Sequence, residues 1–132
     1  MEIVFIVGRI LFGVIFLASG IGHFAAREAM VGYAQYKKLP LATLLVPVSG
    51  LMIILGAVSV VAGVYPAYGA LLLALFLLPT AFIFHNFWTE TDAQAKMTSQ
   101  ISFNKDISLA GAALILFYIF STVEDLPGLL MP

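Results

Sequence analysis

Four long apolar runs, separated by shorter polar stretches, organise this chain. The first extends from Ile3 to Phe24, 22 residues in which Arg9 is the one formal charge. A helix of that length reaches about 33 Å, enough to cross the ~30 Å hydrocarbon core of a bilayer. A second run extends from Leu41 to Val64 with Pro47 inside it, a third from Ala67 to Phe84 and a fourth from Ile107 to Val123. The third and fourth carry no charge. Soluble buried helices rarely reach such lengths without a polar face. The pattern predicts an all-α fold: an integral membrane bundle of four transmembrane helices, spans 3–24, 41–64, 67–84 and 107–123, in one membrane domain covering 1–132.

The connections differ in kind. Val64-Tyr65-Pro66-Ala67 is a tight turn that pairs spans two and three as a hairpin. Residues 25–40 and 86–106 are longer and hold most of the charges, and the segment from about Thr91 has the composition of a short amphipathic interfacial helix. Met1-Glu2 has no basic residue and the run that follows exceeds a typical signal-peptide core, so span one is expected to be retained.

Composition narrows the class further. Of 132 residues, 62% are hydrophobic and 10% charged, too few charges to keep the surface of a small soluble domain wet. The lipid bilayer is the expected partner. A net charge of -1 provides no basic stripe, which excludes a nucleic-acid partner. The absence of cysteine excludes disulfides and thiolate metal sites on this chain. Basic residues are uneven: Arg27, Lys37 and Lys38 in the first loop, Lys96 and Lys105 in the third, none in the second or in the tail. That bias places loops one and three in the cytoplasm and both termini outside.

Few polar residues enter the spans. Arg9 lies about 9 Å into span one by helical rise. It can snorkel to headgroups, pair with Glu124 or Asp125 at the end of span four, or hold an anionic or carbonyl group of a ligand. The spacing Arg9-x-x-x-Gly13 favours an interior position, with Gly13 admitting a neighbour. Ala18-x-x-x-Gly22 and Ser59-x-x-x-Gly63 offer similar close contacts, and Pro47 and Pro79 are expected to kink their helices and open room.

Helix alternation then gathers His23, His85, Asn86, Trp88, Asn104 and Lys105 on one side of the membrane. His23 and His85 are expected to line one pocket, with Trp88 as wall and Asn86 or Lys105 as polar partner. The plainer alternative is that these residues cap helices at the interface. A quinone suits the cluster, since imidazole and ammonium donors can bond its carbonyl oxygens. Two histidines are thin support for a bis-histidine haem, and with nearby acids they match no zinc spacing, so no metal is assigned.

The ordered motifs carry a resemblance. Arg9-Ile10-Leu11-Phe12-Gly13-x-x-Phe16-x-x-Ser19-Gly20-x-x-His23-Phe24, His85-x-Phe87-Trp88, and Asn104-Lys105-Asp106 before Gly111-Ala112-Ala113 resemble the DoxX family of small bacterial membrane proteins. The resemblance extends over nearly the whole chain. It implies a bacterial plasma-membrane protein and a subunit of a redox-linked, quinone-coupled complex with oxidoreductase partner subunits or further copies of itself. The alternative is a non-catalytic scaffold or a carrier of a small lipophilic molecule.

Overall fold

The computed structural model describes residues 1–132 and is helical almost throughout. The α-helices are α1 (Glu2–Ala25), α2 (Arg27–Tyr36), α3 (Ala42–Ala62), α4 (Pro66–Phe84) and α5 (Ala93–Thr122), with a 3-10 turn at Phe87–Thr89. All but α2 are long and apolar enough to cross a bilayer, with mean hydropathy from 1.4 to 2.5. Large apolar side chains such as Leu11, Leu55 and Ile115 stay exposed on outward faces, as lipid-facing surface must. The protein is an integral membrane four-helix bundle.

Two boundaries depart from expectation. No separate interfacial helix forms near Thr91. Asp92 caps a helix start by accepting from Ala95 N–H at 2.9 Å, and α5 then runs unbroken for 30 residues, with no proline to stop it. At about 45 Å it outlasts the hydrocarbon core, so its first turns stand outside. The short helix occurs in the first loop instead, where α2 packs against α3.

Close packing follows small residues. A Cβ on Gly50 would lie 2.6 Å from His23 Cβ, and one on Gly13 or Gly20 would collide with Val61 or Ile54, so these glycines let α1 lie against α3. Gly56 meets Leu73 in the same way where α3 crosses α4. Gly22 is different: nothing lies within 4 Å of the position a Cβ would take, and Ala18 is exposed, so the Ala18-x-x-x-Gly22 face contacts no helix. The buried core draws on every span, through Phe16, Ile53, Ala57, Leu73, Leu77, Ala110 and Ala113. Along the α1–α5 edge the backbones stay apart and side chains bridge the gap, as in the edge contact of Phe5 with Phe120 at 5.9 Å.

Proline has visible consequences. Pro47 has no N–H to offer the carbonyl one turn back, and that carbonyl, Thr43 O, accepts from Arg27 Nη2 at 3.5 Å. Beyond α5 the tail folds back over the α3–α4 turn. Leu130 and Met131 both donate to Gly63 O, at 3.0 and 2.9 Å, and Tyr65 N–H donates to Met131 O at 2.7 Å. Gly63 (φ 71°) and Gly128 (φ 68°) adopt the left-handed backbone these turns require.

Candidate functional site

A cavity of about 620 Å³ occupies the half of the bundle that holds the histidines, and every α-helix contributes to its lining. His23 enters from α1, Tyr33 from α2, Ser49 from α3, Thr80 and His85 from α4, and Lys105 and Asp106 from α5. Most other lining groups are apolar, among them Phe16, Met30, Met52, Phe76 and Leu109. An apolar chamber with a few convergent polar groups is the usual form of a small-molecule site.

The two imidazoles are held differently. His23 is buried, and its Nδ1 lies 2.7 Å from Ser19 O. A carbonyl only accepts, so Nδ1 carries the proton and a neutral His23 presents Nε2 as an acceptor. The ring stands edge-on to Phe76 at 6.0 Å, with Gly50 behind its Cβ. His85 Nε2 lies 3.4 Å from Asp106 Oδ2, and Lys105 Nζ lies 3.8 Å from Asp106 Oδ1. Asp106 is 5% exposed, and a buried carboxylate needs such cationic or donor neighbours. The remaining ring nitrogens, His23 Nε2 and His85 Nδ1, have no protein partner yet are not sealed from access. They are free to meet a ligand.

Asn86 and Trp88 do not line the cavity. Asn86 Oδ1 accepts from Lys37 Nζ at 2.6 Å, while Glu90 Oε1 lies 3.5 Å from the same ammonium. Trp88 is 52% exposed and packs on Phe82, Phe87 and Phe103, with ring centroids 6.2, 5.3 and 5.7 Å away. The turn at Phe87–Thr89 swings it onto the outer flank of α5. It belongs to an aromatic cluster outside the cavity and is not the cavity wall expected. Lys37 also lies over the rings of Tyr33 (5.7 Å) and Tyr36 (5.9 Å), and Tyr33 donates its hydroxyl to Phe84 O at 2.9 Å. These bonds fasten α2 across the end of α4.

Arg9 is buried near the opposite face. Its Nη1 donates to Pro127 O at 3.0 Å, and its Nη2 donates to Val61 O at 2.9 Å and Gly128 O at 2.8 Å. The expected ion pair with Glu124 or Asp125 does not form. Both acids are exposed, and the backbone beyond them turns inward to present carbonyls. Carbonyl oxygens take both terminal nitrogens of the guanidinium, leaving Nε buried without a partner, while the carboxylates stay exposed, which avoids desolvating two ions.

Asp106, Ser19, Ser49, Tyr33 and Thr80 are site groups that the sequence reading did not single out. Asp106 stood in the Asn104-Lys105-Asp106 motif but read as the polar edge of a span starting at Ile107. Only the longer α5 carries it inward. The histidines share no third metal-capable neighbour: no group of three His, Cys, Asp or Glu side chains converges anywhere in the structure.

These features define a four-span membrane bundle with a largely apolar chamber that is polar at one end. The DoxX family model matches residues 4–86, and the chain belongs to the DoxX family. The match includes Arg9, Gly13, Gly20, His23 and His85 but stops before Phe87, Trp88 and the whole of α5, so it covers less than the expected near-complete length. Searches of curated proteins and of solved structures return no match.

Proposed function

We propose that this protein is a membrane subunit of a redox-linked complex that holds a quinone-like ligand in the central cavity. One observation carries the reading: the cavity joins a cluster of His85, Lys105 and Asp106 at one end to apolar and aromatic walls elsewhere, with His23 set deeper beside Phe76 and Gly50. Its volume of about 620 Å³ lies within the ordinary range for small-molecule sites. A quinone, when bound, carries electrons and protons within the membrane.

The residues fit such a head group. Its two carbonyl oxygens need donors, and Lys105 Nζ supplies one. His85 supplies the other from Nδ1–H, which requires that its Nε2–Asp106 contact hold a proton as well. Neutral His23, its Nδ1–H bonded to Ser19 O, has only an acceptor to offer. Phe76 and Phe16 provide flat apolar surface for the ring.

Purification in mild detergent tests the proposal. Extractable quinone or a co-purifying oxidoreductase subunit is the expected result. Substituting His85→Ala should weaken benzoquinone binding about tenfold, the value of one good hydrogen bond, and His23→Ala should weaken hydroquinone binding similarly, since Nε2 can accept from its hydroxyl, with Trp88→Ala unchanged. A protein that retains no quinone and binds added benzoquinone no better than the double histidine variant would return the cavity to a structural role.

The same proposal puts the protein in a bacterial plasma membrane, as its family resemblance implies, and both termini outside, because five basic loop residues lie on the histidine side and none in the α3–α4 turn or tail. A reporter fused after Pro132 should be active in the outer compartment. Activity only in the cytoplasm would reverse the orientation and leave the bundle untouched.

A further inference from the structure

The cavity does not stop at the inner faces of α3 and α4. Its lining includes Val48 and Leu75. Val48 stands about 140° around α3 from the fully buried Ile53, and Leu75 about 160° around α4 from the fully buried Leu73, at 100° per residue. Both are half-exposed, at 50% and 56%. The chamber therefore passes through the seam between the two helices to their outer side, with Ser49, Met52 and Pro79 lining the passage.

The sequence explains why the seam opens there. Gly56 lets α3 and α4 close tightly against each other near their connecting turn. Antiparallel pairing from that crossing sets Pro47 and Pro79 at the same depth, about 14 Å further along. Each proline removes a helical hydrogen bond, and its ring crowds the preceding turn. Pro79 also leaves the Leu75 carbonyl without its helical donor. Leu75 is nine residues before the end of α4, about 14 Å inside, near the bilayer midplane. Nothing charged lines the passage at that depth, whereas His85, Lys105 and Asp106 cluster at the other end.

We propose that the α3–α4 seam is a lateral opening that passes the hydrocarbon tail of a membrane-resident ligand into the bilayer while its head stays at His85, Lys105 and Asp106. This rests on the cavity as a lipophilic-ligand site and narrows the ligand to a tailed amphiphile entering from lipid. A polar head and a long apolar tail need opposite solvents, and the chamber offers both.

The test uses the full chain in detergent and a benzoquinone whose tail carries a photoreactive diazirine. Labelling should fall on the segments holding Val48, Met52 and Leu75. Val48→Trp combined with Leu75→Trp fills the seam from exposed positions, where larger side chains are tolerated. It should cut labelling about tenfold while a tail-free benzoquinone binds with unchanged affinity. Labelling that survives the double substitution, or that falls on the outer faces of α1 and α5, overturns the opening. Failure of the tail-free benzoquinone to bind wild-type protein overturns the head-group reading and the opening with it, and is read from a separate measurement.

Discussion

Arg9→Leu is expected to destabilise the bundle by several kcal/mol and to release the tail beyond Thr122. The direction is decided by two opposing terms. Leucine removes the cost of an arginine in hydrocarbon, about 2.5–3.5 kcal/mol on insertion scales. It also removes hydrogen bonds to Val61 O, Pro127 O and Gly128 O, each of the charged kind worth about 1.5–3 kcal/mol. The second term is larger. Tail carbonyls that lose their donor must find water, and the tail can reach it only by leaving the α3–α4 turn. Unfolding in a detergent titration should therefore shift to milder conditions, and limited proteolysis should cut near Asp125. Glu124→Gln and Asp125→Asn should do neither, since no ion pair joins them to Arg9. Wild-type stability and an uncut tail in Arg9→Leu would refute the clamp.

Gly50→Val is expected to separate α1 from α3 and to disable the cavity in the same stroke. The atom that a Cβ at 50 would meet, His23 Cβ, is fixed by the α1 backbone, so no rotamer change relieves the overlap. The helix must shift as a body, and overpacking of this kind costs about 1–3 kcal/mol. His23 shifts with it, which withdraws an imidazole from the cavity. Hydroquinone affinity should fall at least as far as in His23→Ala, together with a lower unfolding temperature. Gly22→Ala is the control. Its surroundings are open, so replacing a helical glycine there should leave binding intact and stabilise slightly, by about 0.5–1 kcal/mol. Equal behaviour of the two variants would show that the α1–α3 contact does not depend on Gly50.

The histidine half of the bundle was legible in part. Alternating spans send His23 and His85 to the same side whatever the packing, and the structure places both, with Lys105, on one cavity. Trp88 and Asn86 share that side but not that cavity, because a 3-10 turn re-aims them by rotation about a few backbone bonds. No periodicity records such a rotation. Asp106 escaped notice for the converse reason: hydropathy marks where a span becomes apolar, not where its helix begins, and α5 begins fourteen residues before Ile107.

Sequence by itself determined the span number, the all-helical class and that the first and third loops emerge on one side and the second on the other. Helix length against bilayer thickness, and the cost of unpaired backbone groups in lipid, leave no other solution for these runs. It also determined which small residues were available for close packing, though not which were used: Gly13, Gly20 and Gly50 are pressed between helices and Gly22 is not. Only the tertiary structure decided the partners of Arg9 and the inward placement of Asp106. Each depends on contacts between segments far apart in the chain, made by the rotation of a helix about its own axis or the path of a tail. An apolar helix that is hydrophobic nearly all round carries almost no record of which face its neighbours will choose.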